Sequence, residues 1–180
     1  KDYQAKGANC AFFTKLDEIA WLLNIRSFDV DHTPLVTSYA LVSDDEVTLF
    51  INTERIDADL SSTLSAAGVV LADYEGYEQA LAEKTSRKTV LLDQASINYS
   101  SFNAIDSKKI NAPSCIIELK SVKNEVEIAN CKKGMVRDGV ALTNFFFWLE
   151  DFIKDNTITE YELGIQLESF RKEQENYVYQ

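Results

Sequence analysis

Over its first 120 residues the chain alternates short β-branched and aromatic runs with apolar spacings of three and four, the mark of strands alternating with helices. Residues 9–14 read as a strand. Thr14-Lys15-Leu16-Asp17 has the form of a helix cap, and Leu16, Ile19, Ala20 and Leu23 then share one helical face. The runs 35–42 and 46–51 flank Ser43-Asp44-Asp45, which predicts a hairpin of two antiparallel strands. A helix over 57–67 stops at Gly68, and Val69-Val70-Leu71 follows as a buried strand. A second helix over 77–84 leads to a further strand at 89–92. The expected fold class is α/β: a mixed β-sheet flanked by helices, followed by a helical segment.

The pattern changes at Asn111-Ala112-Pro113, because proline disfavours helix at the residue before it and helical spacing takes over afterwards. The expected domains are therefore 1–112 and 113–180. Asn124-Glu125-Val126-Glu127 has capping-box form, with the Asn124 side chain set to accept the N3 amide and Glu127 to reach back. Ile128, Cys131, Met135, Leu142, Phe145, Phe146, Leu149, Phe152 and Ile153 recur in steps that predict one apolar stripe on about thirty residues of helix. Gly134 and Gly139 interrupt it, each costing roughly 1 kcal/mol relative to alanine. Gly139 lies on the stripe, where close approach of another backbone is expected. The block Phe145-Phe146-Phe147-Trp148 reads as core packing rather than a ligand platform, with Phe145, Phe146 and Leu149 on the buried face. Such a stripe requires a covering partner. Thr159-Glu160-Tyr161-Glu162 is a second capping box, opening a helix with Leu163, Leu167 and Phe170 one turn apart, and Tyr177-Val178-Tyr179-Gln180 reads as β-like.

Composition narrows the function. With 180 residues, 46% of them hydrophobic, six Gly and two Pro, the chain is globular rather than disordered or collagenous. Twenty-nine acidic against 18 basic residues give a net charge of −11, a field that repels polyphosphate and anionic lipid and argues against nucleic acid and membrane as partners. Cys10, Cys115 and Cys131 lack CxxC spacing and the single histidine is His32, so no zinc site is predicted and reduced cysteines in a cytoplasmic protein are expected. Lys1-Asp2-Tyr3-Gln4 carries neither an initiator Met nor a signal-peptide run, and the natural N-terminus is expected to lie further upstream.

A Ser-His-Asp or Cys-His arrangement would require His32, which sits in the loop-like Asp29-Val30-Asp31-His32-Thr33-Pro34. A solvated loop histidine is the preferred reading. Asp29 with Asp31, or Asp44-Asp45-Glu46, offers carboxylates to a hard cation, but the ligand alternation and central glycine of an EF-hand are missing and solvated turns are preferred. There is no G-x-G-x-x-G, no P-loop and no H-E-x-x-H. The residues by themselves assign no catalytic, cofactor-binding or metal position.

Asp17-Glu18-Ile19-Ala20-Trp21-Leu22-Leu23-Asn24-Ile25-Arg26, with Asp29-Val30-Asp31-His32-Thr33-Pro34 and Ser38-Tyr39-Ala40, resembles the middle domain of Xaa-Pro aminopeptidase (aminopeptidase P) in its three-domain form. Lys120-Ser121-Val122-Lys123-Asn124-Glu125-Val126-Glu127-Ile128, Arg137-Asp138-Gly139-Val140-Ala141-Leu142 and Trp148-Leu149-Glu150 resemble the first helix of that family's pita-bread catalytic domain. Thr157-Ile158-Thr159-Glu160 followed by Phe170-Arg171 is similar to its second helix. The resemblance covers nearly the whole chain in the family's order.

It implies a creatinase/prolidase N-terminal-like domain over 1–112 and the first helices of an incomplete pita-bread domain over 113–180. It implies a cytoplasmic, homodimeric parent that hydrolyses the N-terminal Xaa-Pro bond of peptides with proline in second position. Two metal ions, usually manganese, would be held there by two Asp, one His and two Glu, activating a bridging water. Those ligands are expected beyond Gln180, so the resemblance implies no catalytic, cofactor-binding or metal residue here and a fragment inactive by itself. Gly134 stands where the family more often has Ala. Arg26 and His32 flank the family-like loop; a structural Arg26, satisfying loop carbonyls or pairing Asp29 and Asp31, is preferred to a role at a substrate rim. Two other readings stand beside this one: a non-catalytic peptidase-like binding domain of the histone-chaperone type, and a prolidase or creatinase relative. The tryptophan-containing run 19–26 favours the Xaa-Pro aminopeptidase over the latter.

Overall fold

Alternation along the strands builds the first part of the molecule. In residues 10–13 Cys10 and Phe12 join one core cluster while Ala11 and Phe13 join another, and all four are buried. The structure, a computed structural model, describes residues 2–178. Six strands, β1 (Cys10–Phe13), β2 (Ser38–Ser43), β3 (Val47–Ile51), β4 (Val69–Asp73), β5 (Val90–Leu92) and β6 (Lys109–Asn111), form one sheet in the order β4-β3-β2-β1-β5-β6. The β1–β2 and β2–β3 pairs are antiparallel, whereas β3–β4, β1–β5 and β5–β6 are parallel. Every strand except β2 therefore runs the same way, and five carboxyl ends share one edge of the sheet.

Helices cover both faces, as the mixed α/β reading expects. With α1 (Asp2–Ala5) opening the described chain, α2 (Leu16–Leu23) and α3 (Ala58–Ala66) contribute Ile19 and Leu64 to the core that holds Leu49 and Ile51. Tyr77 and Leu81 of α4 (Tyr77–Thr85) pack with Phe50 and Val90 on the opposite face, where Phe102 of α5 (Tyr99–Ala104) also lies. Leu49, Phe50 and Leu81 are fully buried, so each face has a closed centre. The hairpin forms as predicted: Val42 pairs Val47, and the turn closes with the Ser43 amide donating to the Glu46 carbonyl at 2.9 Å. Gly68 follows α3 with φ +78°, the left-handed position where glycine carries no Cβ penalty.

Three expectations about the helices are corrected. Thr14 does not cap α2: Lys15 holds the N-cap position without a side-chain bond, and the Thr14 hydroxyl donates instead to the Ser96 carbonyl at 3.2 Å, drawn across to the loop after β5. Of the aromatic block, Phe145 is buried but Phe146 is 57% exposed, because adjacent helical residues point about 100° apart. A Cβ at Gly139 would meet nothing within 4 Å, so no backbone approaches it among the described residues.

The described residues form two compact units, one ending at Ser121 and one beginning at Val122. In the first, Ile116 of α6 (Cys115–Ser121) is buried in the core beside Ile19, and Lys120 pairs with Asp17 of α2. The second comprises α7 (Glu125–Phe152) and α8 (Glu160–Lys172), both opened by the predicted capping boxes, Asn124 with Glu127 and Thr159 with Glu162. Phe145, Trp148, Phe152 and Phe170 form its aromatic centre, and Arg171 Nε donates to Asp138 Oδ1 at 2.8 Å. The other side of α7 leaves Ile128, Met135, Phe146 and Ile153 between 42% and 73% exposed. Tyr177 and Val178 carry no strand, and Tyr179 and Gln180 lie outside the described residues.

Candidate functional site

The carboxyl edge of a largely parallel sheet is where side chains from several loops converge, and two cavities open there. The larger, about 480 Å³, lies at the ends of β3 and β4. Ile25, Val36, Leu49, Ile51 and Leu64 line its apolar part, with Arg26, Ser27, Asp29, Asn52 and Arg55 supplying the polar groups. The smaller, about 10 Å³, is bounded by Thr14, Glu18, Asp93, Ser96 and Ser114 and has room for a single water. Beside it, Lys15 Nζ stands 3.2 Å from Asp93 and 3.5 Å from buried Glu18. The Asp93 bond pushes the Lys15 pKa above its ordinary value.

Asp29 organises the larger cavity. Its carboxylate accepts from the Ser27 hydroxyl at 2.5 Å and the Thr37 amide at 2.9 Å, and pairs with Arg55 at 2.8 Å. Burial pushes this carboxyl up, yet the hydroxyl, the amide and the guanidinium together outweigh it and hold the pKa below the usual carboxylate range. Arg55 comes from a 3₁₀ turn, Thr53–Arg55, that the Asn52 side chain caps by accepting the Glu54 amide at 3.1 Å. Its second nitrogen donates to Ser27 at 3.0 Å, so one guanidinium clamps the loop that follows α2.

Arg26 acts as the preferred reading has it in one respect: Nη1 donates to the carbonyls of Ala20 and Ile25 at 2.6 and 2.8 Å, closing the end of α2. The partner of Asp29 is Arg55, not Arg26, because those two carbonyls already hold the Arg26 Nη1. His32 is exposed at φ 62° in the two-residue turn bridged by Val30 and Thr33. No nucleophile or carboxylate is bonded to its side chain among the described residues. Two of the Asp44-Asp45-Glu46 carboxylates are spoken for: Asp44 accepts from Tyr3 and Gln4, and Glu46 pairs with Lys84 and takes the Thr48 hydroxyl, while Asp45 is exposed on the turn. Arg55 and Asn52 escape the sequence reading because only the turn after β3 brings Arg55 to Asp29 and Asn52 to the same cavity.

Among the described residues, no three His, Cys, Asp or Glu side chains come together to hold a metal ion, and no metal-dependent step is assigned to them. No helix among those residues is long and apolar enough to cross a membrane.

The sequence is 33% identical over 178 residues to the Xaa-Pro aminopeptidase ApepP of Drosophila melanogaster, covering 96% of this chain and 29% of that protein. It is 31% identical to the Xaa-Pro aminopeptidase 1 of Dictyostelium discoideum, covering 99% of this chain and 29% of that protein. The X-prolyl aminopeptidase of Caenorhabditis elegans, a cytosolic enzyme with a di-nuclear active site, superposes with a TM-score of 0.89 at 28% identity over 99% of this chain and 30% of its own. The chain thus spans about three-tenths of the length of these relatives. The creatinase/prolidase N-terminal domain matches residues 1–127, and the chain belongs to that family.

Proposed function

We propose that this chain is the middle domain and the opening catalytic-domain helices of a longer Xaa-Pro aminopeptidase, a metalloexopeptidase that removes the residue preceding an N-terminal proline. The observation that carries the reading is the superposition on the worm enzyme, which extends over both units of the chain at an identity above that of fold likeness alone. In this reading residues 1–112 are the middle domain and residues 113–180 open the pita-bread domain, with α6 as the helix that leans back on the α/β unit. The exposed stripe of α7 supports it, since an apolar face of this length on a helix belongs against a partner.

In this proposal the parent is a cytoplasmic homodimer with two metal ions, manganese in both positions, and its substrates are peptides with proline at the second position. The ligands are residues of the longer protein outside this chain. The experiment is a peptidase assay on the full-length protein with manganese, using Xaa-Pro-Xaa peptides against matched Xaa-Ala-Xaa peptides. Metal-dependent release of the first residue from the proline series alone is the expected result. A full-length protein inert on both series overturns the enzyme reading and leaves a peptidase-like binding domain.

A further inference from the structure

The 480 Å³ cavity falls within the size range of small-ligand sites, and its lining sorts by chemistry. The charged groups on it are Arg26, Arg55 and Asp29, a local excess of one positive charge in a chain of net charge −11. Asp29 already accepts from three donors, one of them a guanidinium that balances its charge, so it offers little to an incoming cation. The arginines are not saturated. A guanidinium has five N–H donors, and the bonds to Asp29 and Ser27 engage one edge of Arg55 while its side chain remains 53% exposed. Asn52 uses its carbonyl oxygen as the cap of Glu54, which leaves its amide N–H₂ group as a further donor. The mouth therefore presents donors in excess over acceptors, above a floor of Leu49, Ile51 and Leu64.

We infer that this cavity binds the carboxyl end of a peptide: the apolar side chain of the last residue on the aliphatic floor, its carboxylate on Arg55, and the preceding peptide carbonyl within reach of Asn52. Guanidinium geometry matches a carboxylate bidentately, which a lone ammonium does not. Tyr74, stacked on Tyr39 with ring centroids 5.5 Å apart, supplies a fixed ring wall for the side chain. A peptide rather than a free amphiphilic acid is favoured because the site is wide and half-polar, with an amide donor beside the guanidinium. The inference stands apart from the parent's peptidase activity: a chain that binds while the full-length protein is inert leaves it intact.

The test uses the 180-residue chain, N-acetyl-prolyl-leucine as the free acid and as the C-terminal amide, and octanoate, followed by calorimetry and by amide NMR shifts of residues 52–56. The acetyl block removes turnover from the readout. Saturable binding of the acid, about tenfold tighter than the amide, is expected, as one charge-assisted bond is lost. Arg55→Gln is expected to abolish that difference. Because Arg55 also holds Asp29, a second variant, Leu60→Trp, fills the mouth from a partly exposed lining position. It is expected to remove binding with the circular dichroism and Tm unchanged. Equal affinity for acid and amide overturns the carboxylate assignment, tighter binding of octanoate overturns the peptide, and no binding of any probe overturns the site.

Discussion

Arg55 places one guanidinium nitrogen 2.8 Å from the Asp29 carboxylate, tying the 3₁₀ turn at the end of β3 to the loop that follows α2. The Asp29 side chain is 8% exposed and that of Arg55 53%, so the aspartate loses more water than the arginine and depends more on the contact. The loop around Asp29 is held by three donors converging on this one carboxylate.

Asp29→Asn removes the charge at nearly constant volume. In the folded chain the Asp29 pKa lies below its ordinary value, so as pH falls the unfolded chain takes up the proton first. The stability that Asp29 contributes is then fully present above about pH 4 and is lost as pH falls through the folded-state value. Asp29→Asn is expected to lower stability by about 1.5–3 kcal/mol at pH 7, the range for hydrogen bonds to a charged group, and by clearly less at pH 3. Urea midpoints of wild type and variant at the two pH values measure this; an equal gap at both contradicts it.

The three thiols are expected to react in order of exposure. Cys10 is fully buried in β1, and burial pushes its thiol up to about 11. Cys115 is partly buried, and burial with Asp2 nearby pushes its thiol in the same direction, whereas Cys131 is exposed on α7. Since the thiolate is the nucleophile and must be reached by the reagent, labelling at pH 8 should modify Cys131 first, Cys115 later and Cys10 last, only as β1 opens. Mass mapping of a time course reads the order, and early label on Cys10 would refute the burial assigned to β1.

Phe145 and Phe146 are neighbours in sequence with opposite surroundings. Phe145 is 7% exposed with its ring 6.3 Å from that of Phe170, while Phe146 is 57% exposed. Phe145→Ala is expected to cost about 3 kcal/mol by emptying an aromatic site, and Phe146→Ala less than about 0.5 kcal/mol. The two tryptophans fall in different units, Trp21 on α2 and Trp148 on α7, so a Trp21→Phe background lets Trp148 fluorescence follow this unit alone. Equal losses from the two substitutions would reject the orientation of α7.

What could be read from the chain was local. The Ser43-Asp44-Asp45 hairpin, the stop at Gly68 and both capping boxes depend on residues within a few positions of each other, and all appear in the structure. The strand at 109–111 and the helix at 99–104 are not legible in the sequence, being too short to show a period and lacking the unbroken apolar run that marks 89–92. Thr14 was misread because its hydroxyl answers to Ser96, 82 residues away, which no local pattern reveals. Arg55 with Asp29 is the same case at the site: 26 residues apart, joined only after β2 and β3 pair.

Gly139 separates the chain from the longer protein it is proposed to belong to. It sits inside α7 at a position where a Cβ meets nothing within 4 Å, on the side that leaves Met135 and Phe146 exposed. In this chain alanine is therefore expected to fit without strain and to stabilise α7 by about 0.5–1 kcal/mol through helix propensity. The Thr143 hydroxyl bond to the Gly139 carbonyl at 2.7 Å involves only the backbone and survives the change. If the catalytic domain of the full-length protein lays a backbone against this stripe, the same methyl group intrudes on the contact and the sign reverses. Thermal unfolding followed at 222 nm is expected to show Gly139→Ala raising the Tm of the 180-residue chain and lowering that of the full-length protein. A fall in the first would mean that the helix is crowded at this position, and a rise in both would remove close backbone approach as the reason for the glycine.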